Sequence, residues 1–194
     1  MRTAWGYEVS TSLAPLLSVD DFNDITNGAY FNNPRIESAL NAASQVIRNY
    51  CGWHISPSVE CVAEPKGGGI TRRLPAAYVS AVSSVKENNI EITDYDWRDD
   101  GLIRRRFPNV WDQGWNVYKV TYTAGYDMAA VPDLAEAVAA ITAGVLSVSA
   151  GVASESADGV SISYSASAAS IAASLTSQQK NALEVYKVVS SHAA

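Results

Sequence analysis

Residues 118–148 constrain the fold of this chain most strongly, because they combine a strand, a turn and an apolar helix. From Tyr118 to Tyr122, aromatic and β-branched residues alternate with polar ones, which is typical of a half-buried strand. Gly125 then permits the positive φ that a turn requires, and Pro132 suits the first turn of a helix. The helix that follows is apolar on most sides, so we expect it to be buried among other helices.

Two earlier segments carry signals for the start of a helix. Ser18, which is followed by acidic residues in the first turn, predicts a short helix over residues 18–27. Pro34 predicts the start of a longer amphipathic helix over residues 34–51. Residues 1–17 contain no helix signal, and we expect them to form an extended N-terminal segment.

Between the helices, proline and glycine punctuate short β-type segments over residues 57–123. We expect strands near Val59–Ala63, Ile70–Leu74, Val79–Lys86, Ile90–Ile92, Gly101–Arg105 and Tyr118–Thr123. Helices on either side of a run of antiparallel strands make an α+β domain. The prediction is therefore a small helical bundle over residues 18–146, with helices at 18–27, 34–51 and 132–148 and an inserted antiparallel β region.

The composition changes after the third helix. Residues 147–174 are mostly serine, alanine and glycine, which predicts a weakly ordered arm. Three residues in this arm alternate with serines and could add as a strand to a sheet edge of the same or a neighbouring subunit: Val160, Ile162 and Tyr164. A capping box at Thr176 predicts a C-terminal helix over residues 175–194. Its narrow apolar stripe suits docking onto another surface and consists of Ala182, Leu183, Tyr186 and Val189.

The charge balance excludes some classes of function. The chain has 14 basic and 20 acidic side chains and a formal charge of −6, whereas non-specific binding of nucleic acid requires a basic surface. No run approaches the ~20 apolar residues that span a bilayer, and the first 17 residues lack the apolar core of a secretory signal. We expect a soluble protein, made in a cytoplasm, with no membrane partner.

No group of residues predicts catalysis or a metal site. Nucleophilic catalysis needs a base beside the nucleophile, and His54 and His192 are the only two histidines. Cys51 and Cys61, even with His54, lack a fourth zinc ligand, so we interpret them as buried thiols. The acidic run that begins at Asp94 departs from the EF-hand calcium loop at three positions and is better interpreted as a solvated turn. The sequence predicts a non-enzyme without cofactor or metal.

One concentrated basic run exists, formed by Arg104, Arg105 and Arg106. On a strand, the first and third of these side chains share one face and the second lies on the other. Pairing with the aspartates just upstream, or with another subunit, is the favoured interpretation. Contact with DNA is the alternative, which would make the chain a small nucleic-acid-associated protein that uses this cluster.

Several motifs, taken in order, resemble the head–tail connector (adaptor, or head-completion) proteins of long-tailed bacteriophages. They are Ser18–Phe22, Pro34–Ile36, Ala42–Ile47, Tyr50–Trp53, Leu74–Pro75, Val82–Val85, Asp94–Trp97, Gly101–Arg104, Val120–Asp127 and Val131–Leu134. The motifs are made of common residues, so their specificity lies in their order and spacing. The resemblance covers residues 18–146 well and the C-terminal part more loosely.

The resemblance implies a structural virion protein at the head–tail interface, assembled in the cytoplasm of a bacterial host. Such adaptors form a ring beneath the portal, twelve-fold in this family, which completes the DNA-filled head and provides the docking surface for the tail. The implied partners are the portal protein, a tail-side connector or tail-terminator protein, and other copies of the chain. DNA would pass through the channel without specific binding.

The resemblance also implies which residues bind the portal. The C-terminal segment of such adaptors engages the portal, which assigns that role here to residues from about Gly159 onward. The apolar residues expected to make this contact are Val160, Ile162, Tyr164, Leu183, Tyr186 and Val189. Arg104, Arg105 and Arg106 are the candidates for contact with DNA or with a neighbouring subunit.

Overall fold

The computed structural model describes residues 1–65, 68–112, 114, 117–147 and 175–188, together with the backbone of residues 154–157 and 160–163. Two compact units divide the chain. Unit 1 consists of Met1–Leu13, Cys51–Ala130 and Tyr186–Ala194, and unit 2 consists of Ala14–Tyr50 and Val131–Val185. Together they contain helices and antiparallel sheets, which confirms the predicted α+β class.

Unit 1 contains two antiparallel sheets. The larger sheet has the order β1-β2-β8-β4-β5 and the smaller sheet the order β3-β7-β6. In chain order the strands are β1 (Glu8–Val9), β2 (Val59–Ala63), β3 (Thr71–Arg73), β4 (Val79–Glu87), β5 (Ile90–Glu91), β6 (Tyr95–Trp97), β7 (Leu102–Arg105) and β8 (Tyr118–Ala124). The β region thus forms where the sequence places it, between the second and third helices.

Strand β8 is central to the larger sheet, as its alternating pattern suggests. Its partners are β2 on one side and β4 on the other, and Ala124 lies opposite both Val59 and Val79. The residues of alternate positions are buried, from Tyr118 through Val120 and Tyr122 to Ala124. The predicted half-buried strand is therefore correct in its position and in which of its side chains are buried.

Gly125 ends β8 at a point where two backbone segments nearly touch. Its φ is +115°, and a Cβ added there would lie 2.2 Å from the carbonyl oxygen of Pro57. Only glycine satisfies both the positive φ and this close approach. The turn after β8 thus has the residue that its geometry requires.

Two strands of unit 1 were not predicted from the sequence. We interpreted the acidic run that begins at Asp94 as a solvated turn, but part of it forms strand β6. Asp96 of β6 lies opposite Arg104 of β7 and forms an ion pair with it. Within the N-terminal extended segment, β1 pairs with β2 at Glu8 and Val9. Both are short strands that form because a partner strand is available, which the local pattern does not reveal.

Unit 2 contains the described α-helices and one β-hairpin. The helices are α1 (Val19–Ile25), α2 (Ile36–Cys51, whose last residue belongs to unit 1), α3 (Pro132–Ser147) and α4 (Ser177–Leu183). The hydroxyl of Ser18 accepts a hydrogen bond from the amide of Asp21, as predicted for the start of α1. Thr176 and Gln179 form the predicted capping box of α4. Helix α3 packs against α1 and α4, and buries Leu134, Val138 and Ile141.

The C-terminal part differs from its prediction in two ways. Helix α4 ends at Leu183 and continues only as one 3₁₀ turn, Glu184–Tyr186, so it is shorter than the predicted helix over 175–194. Within the predicted arm, strands β9 (Ser154–Ala157) and β10 (Val160–Ser163) pair with each other as an antiparallel hairpin. Tyr164 and Val189 lie outside the described residues.

Replacing Gly125 with alanine should destabilise the protein by about 2–4 kcal/mol, because the new methyl group would meet the Pro57 carbonyl at a positive φ. The matched control is Gly144→Ala. Gly144 lies exposed on α3, and a methyl group placed there would have nothing within 4 Å, so this change should stabilise the helix by about 0.5–1 kcal/mol. Urea denaturation of both variants measures the difference, and equal effects would show that the turn geometry is wrong.

Candidate functional site

The described residues do not assemble a metal site. No three His, Cys, Asp or Glu side chains among them are arranged to hold a metal ion. Cys51 and Cys61 are buried and form no disulfide, and burial raises the pKa of the Cys61 thiol to about 12. No described helix has the length and apolar character needed to cross a membrane.

His54 is fully buried, and both of its ring nitrogens have partners. Its Nε2 lies 3.1 Å from the Pro57 carbonyl oxygen and 3.0 Å from that of Ala124, so Nε2 carries the proton. The Tyr7 hydroxyl donates to Nδ1 at 2.8 Å and accepts from the His54 amide at 2.9 Å. The histidine therefore ties β8 to the segment before β2 and has no nitrogen left to act as a base.

The arginine run divides between the two faces of the smaller sheet, as its strand position predicts. Arg105 points inward, and its side chain is only 8% exposed. Its guanidinium lies 2.9 Å from Asp94 and 3.4 Å from Glu87, and its carbon is 5.5 Å from the centre of the Trp111 ring. Arg105 is thus a structural clamp that connects β7 with β4 and the loop before β6.

Arg104 and Arg106 are exposed and share one carboxylate. Arg104 lies 3.5 Å and Arg106 2.8 Å from Asp96. The hydrogen bond from Arg106 holds the pKa of Asp96 below its usual range. Exposed ion pairs are weak, so both guanidinium groups remain accessible to a partner. Nevertheless, a basic run in which one side chain is buried and two share an aspartate gives the nucleic-acid alternative no support.

Two residues to which the sequence analysis gave no role in a site, Tyr118 and Glu87, complete the clamp. The Tyr118 hydroxyl donates to Glu87 at 2.5 Å and accepts from the Asp112 amide at 2.6 Å. Burial, and then the bond to Glu87, raise the pKa of Tyr118 to about 12. Glu87 therefore connects Arg105 to the first residue of β8. A lone glutamate at a strand end gives no signal of this role.

The turn after β7 is held firmly and presents an exposed aromatic ring. The Asn109 amide donates to the Arg106 carbonyl, and the Asn109 side chain donates to the Asp94 carboxylate. Phe107, in the middle of this turn, is 97% exposed, and its peptide bond to Pro108 is cis. The sequence alone did not single out Phe107, because its exposure depends on the tertiary structure.

Two of the predicted portal-binding residues are covered by the chain itself. Leu183 is fully buried in unit 2. In unit 1, the Tyr186 carbonyl accepts a 2.6 Å hydrogen bond from the Trp53 indole, and its ring meets Tyr126 edge-on at 5.6 Å. The Val188 amide donates to the Cys51 carbonyl at 2.9 Å. The described C-terminal residues are therefore anchored to the fold rather than free.

The other predicted portal-binding residues are only partly described. The backbone of Val160 and Ile162 lies in β10, where Val160 is opposite Ala157 and Ile162 is opposite Glu155. Tyr164 and Val189 are outside the described residues. The portal role of all six residues stays a prediction.

A comparison with protein families identifies the chain. The family model named "Head completion protein" matches residues 15–189. The chain belongs to the head completion protein family. This confirms the resemblance to head–tail connectors that the motifs carry, and it makes the protein a structural head-to-tail adaptor of a virion.

Solved structures share the fold of this head completion protein. A chain in "Neck of native GTA particle computed with C12 symmetry" matches with a TM-score of 0.61 and 17% identity, over 94% of this chain and 95% of that one. A chain in "Neck of empty GTA particle computed with C6 symmetry" matches with a TM-score of 0.56 and 18% identity over the same shares. No curated protein sequence matches significantly.

Replacing Arg105 with lysine should destabilise this head completion protein by about 1–2 kcal/mol. Lysine keeps the charge but lacks the planar fork that reaches both Asp94 and Glu87. The matched control is Arg104→Lys on the exposed face of the same strand, which should leave the melting temperature unchanged. Thermal denaturation compares the two, and a similar small effect for both would contradict the clamp.

The Asp94 carboxylate should make stability depend on acid pH. Burial raises its pKa, but hydrogen bonds from Asn109 and Arg105 outweigh this effect and hold the pKa below the ordinary value. The unfolded chain therefore binds the proton more readily, so stability should fall as the pH drops below about 4. Denaturation at pH 7, 4.5 and 3 should show a smaller acid loss for Asp94→Asn than for the unmodified protein. Identical acid losses would mean that Asp94 contributes nothing.

Proposed function

We propose that this head completion protein forms a twelve-copy ring beneath the portal, where it completes the DNA-filled head and provides the docking surface for the tail. The observation that carries the proposal is the family match over residues 15–189. The shared fold with chains from GTA particle necks, one of them computed with C12 symmetry, supports the copy number. Assembly would take place in the cytoplasm of a bacterial host.

The charge of the chain suits a channel for DNA. Unit 2 contains 9 of the 20 acidic side chains but only 3 of the 14 basic ones, so its formal charge of −6 equals that of the whole chain. Like charges repel the phosphate backbone, so DNA could pass such a ring without binding to it. The adaptor then acts through its shape and contacts, and has no enzymatic activity.

The C-terminal segment is the proposed portal contact. Strands β9 and β10 form a hairpin of their own and pair with no other described strand, so either edge could receive a strand from the portal. Val160, Ile162 and Tyr164 would insert side chains into the portal. Because Leu183 and Tyr186 are buried, they would contribute by anchoring the C-terminal segment to the fold. Val189, three residues after Tyr186 in the sequence, would contact the portal directly. The tail-side connector or tail terminator would dock on the opposite face of the ring.

Electron microscopy of the protein mixed with the portal protein of the same virion tests the proposal. A twelve-fold ring stacked on the portal is expected. Particles of free portal beside free adaptor, at micromolar concentrations of both, would contradict it. The single-particle average also shows whether residues 154–163 make the contact.

Replacing Ile162 with aspartate should weaken portal binding at least tenfold, because an unpaired charge in an apolar contact is costly. The matched control is Ser161→Asp, which adds the same charge at the adjacent position of β10, where the sequence has a polar residue. Binding is measured by co-sedimentation with the portal across a range of concentrations. If both variants bind as the unmodified protein does, the hairpin is not the contact.

A further inference from the structure

The aromatic side chain of Phe107 is almost fully exposed to solvent, which is unfavourable for an apolar ring. The turn that carries it is fixed at both ends, since the Arg105 amide donates to the Ile70 carbonyl and the Trp111 amide donates to the Gly69 carbonyl. A nearly fully exposed ring on a rigid turn loses little conformational entropy when it binds. Such rings are typical anchors at the centre of protein interfaces.

Two further exposed apolar residues, Ile70 and Val110, lie on the same two loops as Phe107. Ile70 is 55% and Val110 49% exposed, and the bridge between Gly69 and Trp111 places Ile70 across from Val110. We call Ile70, Phe107 and Val110 the tip patch. Single exposed apolar residues are ordinary, but three on two connected loops form a surface that favours a partner.

The surroundings of the tip patch are basic. Arg104 and Arg106 share the single carboxylate of Asp96 and remain exposed. Arg72, which follows Ile70 by two residues, is half-buried and in none of the ion pairs seen among the described residues; its guanidinium donates to the Thr71 carbonyl at 3.0 Å. A partner surface for the tip patch should therefore be apolar at its centre and acidic at its edge.

Unit 2 carries a surface of this kind. A groove of about 410 Å³ lies where the segment before α1 runs along α2, and its lining is mostly apolar: Ala14, Pro15, Leu17, Ser18, Val19, Glu37, Leu40 and Asn41. Two contacts fix this segment on α2. The Arg48 guanidinium donates to the Ala14 carbonyl at 2.8 Å, and the Leu16 amide donates to the Ser44 hydroxyl at 2.8 Å.

The charged side chains at and beside this groove are mainly acidic. Glu37 lines it, and Asp20 and Asp21 follow its lining residue Val19 in sequence, whereas Arg48, which contacts the lining residue Ala14, is buried and donates to its carbonyl. An aromatic ring buries roughly 150–250 Å² when it is fully covered. The groove thus offers the apolar centre and the negative edge that the tip patch requires.

We propose that the tip patch of one copy binds this groove in the next copy, with Phe107 inserted between the segment before α1 and helix α2. The contact rests on the ring assembly proposed above and names the surfaces that build it. Because two different patches meet, the contact is heterologous, and repeating it produces a ring or an open filament rather than a two-fold dimer. The flanking arginines and acidic residues would fix the orientation.

Cross-linking tests this contact directly. Val110→Cys places a thiol beside Phe107 and Ala14→Cys places one on the groove, while the native cysteines are buried. With a short bismaleimide in the presence of the portal, the double variant should give a ladder of covalent oligomers. Each single variant alone should stay monomeric, and an equal mixture of the two should give covalent dimers only.

A second pair of variants measures the energetic role of the ring. Phe107→Ala should weaken assembly roughly tenfold or more. The matched control is Phe31→Ala, because Phe31 is also well exposed, at 70%, but does not line the groove. It should assemble as the unmodified protein does. Sedimentation velocity, with and without the portal, gives the assembled fraction of each.

The outcomes separate the two proposals. Rings on the portal that yield no ladder, together with normal assembly of Phe107→Ala, would overturn this contact and leave the adaptor ring intact. Absence of any ring from the unmodified protein would overturn both. We expect a ladder of covalent oligomers from the double variant. We also expect Phe107→Ala to lose assembly while Phe31→Ala keeps it.

Discussion

Pairing of β8 on both edges is the interaction on which the rest of unit 1 depends. Its first residue, Tyr118, reaches Glu87 and through it the Arg105 clamp of the smaller sheet. Its last residue, Ala124, accepts a hydrogen bond from the buried His54. One strand therefore sets the position of both sheets and of the segment that precedes β2. Because alternate side chains of β8 are buried, a register shift by one residue would expose all of them at once.

Much of this fold follows from local chemistry. The caps at Ser18 and Thr176, the alternation along β8 and the glycine after it each act within a few residues, so the sequence shows them. What the sequence could not show depends on partners distant in the chain. Strand β6 exists because β7 lies beside it, and the groove exists because residues 14–19 fold back along α2. The early end of α4 likewise follows a capping signal that fixes where a helix begins but not where it stops.

The candidate site was predicted only in part for the same reason. Strand geometry indicated that Arg105 differs from Arg104 and Arg106, and this division is what the structure shows. The identity of its partner Glu87, 18 residues upstream, required the pairing of distant strands. Arg105, which is buried and paired with both Asp94 and Glu87, stabilises the fold, whereas its neighbours Arg104 and Arg106 are exposed.

The burial of Cys51 and Cys61 has a consequence for disulfide chemistry. Oxidation and disulfide exchange proceed through the thiolate. With a pKa of about 12 for Cys61, only roughly one thiol in 10⁵ is ionised at neutral pH. Both cysteines are also buried, so neither thiol lies at the surface where it could form a disulfide with another copy or another protein. The cysteines therefore leave the contacts between subunits noncovalent.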